Sequence, residues 1–186
     1  MQLAKKIQIY PTEEQINARW ERSDKCRIVY NFVLADRKDA YDKEMRSVKY
    51  AEQQNKRPDF KKRNPEFNIV YPKTLQGVLK KLDGSYHSFF SHIKNGDLKA
   101  LPSNFKGRNY LMTLPYNQSG LKVENNIITF SHNVNDVHLS FDVGNLANGL
   151  KIKHVEIVND DPYKARGKFF ICVAYELDIE DSYFNN

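Results

Sequence analysis

The chain has 186 residues, with 29 Lys and Arg against 23 Asp and Glu for a net charge of +6, and a pI near 9.1. Its 40% hydrophobic content, with 11 Phe and 11 Tyr, supplies a proper core and excludes a disordered chain; the length suits one domain, or one domain carrying an insertion. The basic balance favours an anionic partner, nucleic acid first among them, and no apolar run reaches the roughly 18 residues of a membrane span.

The opening MQLAKKIQIYPT lacks the apolar segment of a secretory signal, which points to the cytoplasm. Lys5 to Tyr10 alternates, with Ile7 and Ile9 on one side and Lys6, Gln8 and Tyr10 on the other, and predicts a half-buried strand ended by Pro11. Thr12 followed by Glu13-Glu14-Gln15 is a helix start, with a hydroxyl N-cap, acids in the first turn and Gln15 at the capping-box position. The helix should run to about Tyr41. Ile16, Trp20, Cys26, Ile28, Val29, Tyr30, Phe32, Val33 and Ala35 give it an apolar surface wider than a stripe, packed on most sides. Ser23-Asp24, both good N-caps, mark an alternative division into two helices. Residues 42–73 change character. Pro58, Pro65 and Pro72 recur, and the basic run Lys56-Arg57 and Lys61-Lys62-Arg63 is interleaved with Phe60, Phe67 and Tyr71. The stretch reads either as a solvated loop or as a nucleic-acid surface, where phosphate attracts the charge and bases stack on the rings.

Thr74 to Lys94 carries the clearest helical period. Leu75, Val78, Leu79, Leu82, Tyr86, Phe89, Phe90 and Ile93 line one side, and Gln76, Lys80, Asp83, His87, Ser91 and Lys94 the other. Between them runs a narrow strip of Gly77, Gly84 and Ser88. A helix-interior glycine costs about 1 kcal/mol relative to alanine, so the strip predicts close approach by another backbone, either a helix or a nucleic-acid strand. Asn95-Gly96 stops the helix, and residues 97–120 show little periodicity. Strands follow: Leu121 to Val123 and Ile127 to Phe130 flank the turn Glu124-Asn125-Asn126, and Val137 to Phe141, Lys151 to Val158 and Lys168 to Leu177 alternate in turn. Cys26 and Cys172 sit in apolar contexts without metal-ligand spacing, and predict two buried free thiols in a reducing compartment. The expected fold class is α+β, an antiparallel barrel interrupted after its first strand by helices.

Three stretches carry a resemblance: KIQIYPTEEQ after the opening residues, CRIVYNFVLADRKDAY at 26–41 and TLQGVLKKLDGSYHSFF at 74–90, with the strand pair GLKIKHVEIV and GKFFICVAYELD near the end. The chain resembles the N-terminal half of TnpB/OrfB, the transposon-encoded RNA-guided DNA nucleases, and more loosely the compact type V CRISPR effectors. The resemblance implies a wedge-type, oligonucleotide-binding barrel: first strand in residues 1–12, helical recognition insertion in 13–100, remaining barrel in 101–180 and a tail in 181–186. It implies motif readers at Tyr50, Lys73, Gln76, Lys80 and Asn117. Gln pairs bidentately with adenine, Lys with guanine or phosphate, and Tyr stacks or bonds phosphate. Guide-RNA contacts are expected at Lys5, Lys6, Lys106, Arg108, Lys151, Lys153, Lys164 and Arg166.

The nuclease half of that family should begin after the last strand, but the sequence ends in IEDSYFNN. Two-metal hydrolysis needs several converging carboxylates. The expectation is therefore a protein that is no enzyme and needs no cofactor, with Mg²⁺ required only if a nuclease half is present elsewhere. Phe141-Asp142-Val143-Gly144-Asn145-Leu146-Ala147 imitates the first nuclease segment but falls before two further strands. The leading expectation is RNA-guided DNA binding beside a short flanking motif, with guide RNA and duplex DNA as partners. Its outcome would be repression or modulation of a full-length relative, and self-association is a further partnership. The alternatives are an RNA-independent helix-turn-helix-type regulator, and a fragment of an RNA-guided endonuclease.

Overall fold

The computed structural model describes residues 2–132, 137–144, 151–163 and 167–176. Strand β1 (Gln2–Ile9) leads into helix α1 (Glu13–Glu44), α2 (Tyr50–Arg63), a 3₁₀ turn at Pro65–Ile69 and α3 (Pro72–Lys94). The strands β2 (Leu114–Asn117), β3 (Leu121–Glu124), β4 (Ile127–Phe130), β5 (Ser140–Asp142), β6 (Lys151–Asn159) and β7 (Phe169–Glu176) follow. The three helices therefore fall between the first and second strands of an α+β chain. The strands pair antiparallel in two sheets, ordered β1-β7-β6-β2 and β3-β4-β5, and close no barrel among the described residues. No helix there is long and apolar enough to cross a membrane.

The start of α1 is built as its sequence dictates. Gln15 N donates to Thr12 Oγ1 at 3.3 Å, and Thr12 N donates to Gln15 Oε1 at 3.0 Å, a reciprocal capping box. The Gln15 amide also donates to the carbonyls of His138 and Ser140, tying the helix start to β5. The helix then runs unbroken through Ser23-Asp24. The Ser23 hydroxyl accepts from Met112 N at 2.6 Å and Asp24 pairs with Arg27, so both side chains that would cap a second helix are committed elsewhere. The helix is also less enclosed than its apolar surface predicts, since Ile28 and Phe32 are exposed while Arg19, Arg22 and Arg37 are buried.

Residues 50–63 form a helix where the sequence reads as loop. Glu52 accepts from Lys49 N at 3.0 Å at its start. Gln53 docks it onto α1, donating to Val33 O at 2.8 Å and to Asp36, and accepting from Arg37 Nε at 2.9 Å. Phe60 packs against Phe32 and Phe67, with ring centroids 5.6 and 4.9 Å apart. Phe67 and Tyr71 are buried and serve packing, while Phe60 is half-buried between Phe67 and the exposed Phe32. Three of the five cations of the basic run are engaged by the protein itself, although Lys56 stays exposed. Lys56 pairs with Asp36, Arg57 donates to Pro72 O, and Lys61 donates to Val70 O, whereas Lys62 and Arg63 are exposed.

Helix α3 opens two residues earlier than its period indicates, with Pro72 in its first turn, and Gly96 follows its end at φ +85°. Its Leu75, Val78, Leu79 and Leu82 are buried in the core against α1 and β2, as the stripe predicts. The glycine strip divides. A Cβ on Gly77 would meet Pro115 Cγ at 2.6 Å, so the close approach there is by β2, not by a helix or a nucleic acid. A Cβ on Gly84 would meet nothing within 4 Å, which removes helix packing as its reason. Strand β2 itself is unmarked in the sequence, but it alternates Leu114 and Tyr116 inward and sits at the sheet edge, where Pro115 is tolerated. The β3–β4 turn takes Asn125 and Asn126 at φ 47° and 66°; Glu124, read as part of the turn, instead ends β3 and pairs with Ile127, which leaves a two-residue hairpin.

Candidate nucleic-acid interface

The N-terminal half of α3 gathers most of the residues expected to read DNA. Lys73, Gln76 and Lys80 stand three and four positions apart and so share one face. Both lysines are exposed and Gln76 is half-buried. Gln76 Nε2 donates to the Tyr50 hydroxyl at 3.1 Å, joining the first residue of α2 to α3. Tyr50 in turn lies within 3.5 Å of Gln54 Oε1.

Asn117, at the end of β2, is reached from the other side of the same helix. The Tyr71 hydroxyl donates to Asn117 Oδ1 at 2.6 Å, and Ser119 Oγ donates to the same oxygen at 3.1 Å; the two hydroxyls are 2.7 Å apart. Tyr71 is the N-cap residue of α3. Its ring stacks on Tyr116, with centroids 5.8 Å apart and planes 6° from parallel, and a Cβ on Gly120 would sit 2.4 Å from it. One turn into α3, Thr74 Oγ1 donates to Pro115 O at 2.6 Å. The helix thus carries three candidate readers, Lys73, Gln76 and Lys80, as its own residues and fixes a fourth, Asn117, through its cap.

Positive charge lies around this end. Arg57 and Lys61 bind the segment that enters α3. The His132 ring lies 5.5 Å from Tyr71, at a residue with φ 66°, and its carbonyl accepts from buried Arg22. Burial holds the His132 imidazole below its ordinary value, with Lys61 and Arg22 adding to the effect. Beneath it, Arg19 donates to Met112 O and Ile157 O, each at 3.1 Å, and burial pulls its guanidinium down to about 10. Burial pushes the Tyr116 phenol up to about 12 and the Cys26 thiol up to about 12. The latter fits the buried free thiol expected there; Cys172, also free, is half-buried.

The residues expected to hold RNA are spread more widely. Lys6 lies with its ammonium 4.1 Å from the Phe170 ring centre on the four-stranded sheet, and Lys5 is exposed beside it. Lys151 is exposed, but Lys153 pairs with Glu176 at 2.8 Å, at the register shift between Ile152 and His154. Lys106 lies over the Tyr30 and Tyr110 rings, at 5.6 and 4.7 Å, and its backbone is tied to Asn31. Burial, with Lys81 nearby, lowers its ammonium below the usual lysine value. Arg108 is exposed. Lys164 and Arg166 lie outside the described residues.

Asp142 closes a turn, its carboxylate accepting from Gly144 N at 2.8 Å at the end of β5; Asn145, Leu146 and Ala147 of that segment lie outside the described residues. Among the described residues no group of three or more His, Cys, Asp and Glu is placed to hold a metal ion. Sequence reasoning named Tyr71 only among the aromatics of the basic run and did not single out Ser119. Nothing local marks a tyrosine before a proline as a partner for an asparagine 46 positions later. A search among curated proteins finds no match. Residues 1–46, which hold β1 and α1, match the HTH_OrfB_IS605 family model, described as a helix-turn-helix domain.

Proposed function

We propose that this chain binds duplex DNA beside a short motif read by the N-terminal half of α3, with a structured guide RNA supplying the rest of the recognition. On this reading Gln76 pairs with a base edge beside Tyr50, Asn117 adds a polar contact from the other side of the start of α3, and Lys73 and Lys80 meet phosphates. Guide RNA lies along the sheet lysines, led by Lys5, Lys6 and Lys151, with Lys106 and Arg108 at its margin. The two sheets are the parts of an oligonucleotide-binding wedge and the three helices its recognition insertion. The chain cuts nothing itself, and acts by blocking a site or by modulating a full-length TnpB-like relative.

The observation that carries the reading is the hydrogen bond from Gln76 to Tyr50, which sets residues from two helices on one face at the end where Asn117 is also held. The match of residues 1–46 to a helix-turn-helix family model supports the DNA side and favours one second reading, an RNA-independent regulator. The two separate in one experiment. The protein is purified with its native RNA, half is treated with RNase, and binding to a randomised duplex pool is measured. The proposal expects selective binding to be lost with the RNA; selective binding that survives unchanged contradicts it and supports the regulator.

A further inference from the structure

We propose a phosphate-binding site where α1, α2 and the entry to α3 meet, formed by Lys61 and His132 and backed by Arg22 and Arg57, which takes a backbone phosphodiester of the bound nucleic acid. The inference rests on the nucleic-acid binding proposed above. The four cationic side chains converge on one short segment. Arg57 donates to Pro72 O, Lys61 donates to Val70 O at 3.4 Å, and Arg22 donates to the carbonyl of His132. Tyr71, between Val70 and Pro72, has its ring 5.5 Å from that of His132. No carboxylate among the described residues forms an ion pair with any of the four. Elsewhere the fold supplies one: Arg37 has Asp83, Lys56 has Asp36 and Lys153 has Glu176.

These groups oppose one another's charge. Burial, then Lys61 and Arg22, holds the His132 imidazole below its ordinary value, and burial with Arg57 nearby lowers the Lys61 ammonium in the same way. The Nε–H groups of Arg22 and Arg57 are buried without a hydrogen-bond partner. The charged groups that face His132 are Lys61 from α2 and Arg22 from α1. Behind them, Tyr116 of β2 and Glu21 of α1 act on Arg22, and both effects are smaller than that of its burial.

A phosphodiester suits this arrangement in charge and in donors. The Lys61 ammonium has three N–H donors and spends one on Val70 O. His132 is exposed, and its Nδ1 lies 3.1 Å from Ser131 Oγ, which leaves Nε2 for a second contact. An anion held there favours the imidazolium, so the pKa of His132 is higher in the complex than in the free protein. Binding therefore takes up a proton, and affinity rises as pH falls. Phosphate contacts fix the register of a strand without reading its sequence. Since the Tyr71 hydroxyl bonds Asn117 and its ring adjoins His132, a phosphate seated here sets the strand beside that candidate reader.

The test compares wild type, Lys61→Gln, His132→Asn and the double variant; asparagine suits the positive φ of position 132. Affinity for the co-purified RNA, and for a randomised duplex pool with that RNA bound, is measured against salt at about pH 6 and about pH 8, either side of the ordinary histidine range. Lys61→Gln is expected to weaken binding to all sequences by a similar factor and to reduce the salt slope by about one. His132→Asn is expected to remove part of the gain that wild type shows at the lower pH. In parallel, the His132 ring signal, identified by its loss in His132→Asn, is titrated by NMR with inorganic phosphate alone, with the RNA alone, and with RNA and duplex together. Its midpoint is expected to move to higher pH with nucleic acid. A move on RNA alone assigns the phosphate to RNA, and a move only on adding duplex assigns it to DNA. Either supports the site, even if the duplex pool shows no base preference and the motif reading fails. A move with inorganic phosphate but with neither nucleic acid overturns the assignment to a backbone. Nucleic acid that binds while the midpoint, the salt slope and the pH dependence all stay unchanged overturns the site and leaves DNA reading standing. No binding of either nucleic acid overturns both.

Discussion

Gly77 and Gly84 share one strip of α3, and their surroundings assign them opposite effects. A methyl at Gly77 would press on Pro115 Cγ at 2.6 Å, and both ring and helix are fixed in the packed junction with β2. Gly77→Ala is expected to lower stability by about 1–3 kcal/mol through overpacking, offset in part by the better helix propensity of alanine. At Gly84 the space is open, so Gly84→Ala is expected to raise stability by about 1 kcal/mol. For a chain of this size that is roughly 2–4 °C in Tm. Thermal unfolding of the two variants checks both signs. The periodicity of Thr74 to Lys94 placed both glycines correctly along the helix, but it could not say what each faces. Pro115 comes 38 positions later, in a strand that carries too little alternation to be read. The same holds for Asn117, whose polar type was legible while its tether to Tyr71 was not.

Helix α2 shows where local signals fail at the scale of an element. Its sequence has a proline at position 58 and no apolar stripe, so neither propensity nor period favours a helix. Tertiary bonds decide the matter: buried Gln53 links α2 to Val33, Asp36 and Arg37 of α1, and Arg37 passes the link on to Asp83 of α3 at 2.8 Å. Gln53→Ala removes those bonds and is expected to cost about 1–3 kcal/mol, concentrated in α2. Backbone amides of residues 50–63 should then exchange hydrogen faster, while those of α3 from Leu75 to Leu82 stay protected. Uniform acceleration across all three helices would contradict the local role. Elsewhere the elements were plain in the chain: the Thr12–Gln15 capping box, the Asn125-Asn126 turn and the alternation of β6 and β7 are local features that need no partner to be read. The unbroken course of α1 was the leading reading, and the alternative break fails because Ser23 and Asp24 are spent on Met112 and Arg27 rather than on capping.

Across the molecule, the net charge of +6 is unevenly available. Arg19, Arg22 and Arg37 are buried in the fold, Lys153 is paired with Glu176 and Lys106 lies over two aromatic rings. Exposed cations remain on strands, helices and loops alike, among them Lys5, Lys6, Lys62, Arg63, Lys73, Lys80, Arg108 and Lys151. On the proposed reading, charge attracts nucleic acid without selecting a sequence, and selection falls to the polar side chains held at the N-terminal half of α3. The most direct test compares wild type and Gln76→Ala, with RNA bound, on the duplexes that wild type selects and on single-base variants of them. The account predicts that preference at one base pair falls by about 1–3 kcal/mol while binding to non-preferred duplexes is unchanged. An equal loss of affinity for every duplex would contradict it and reduce Gln76 to a part of the scaffold.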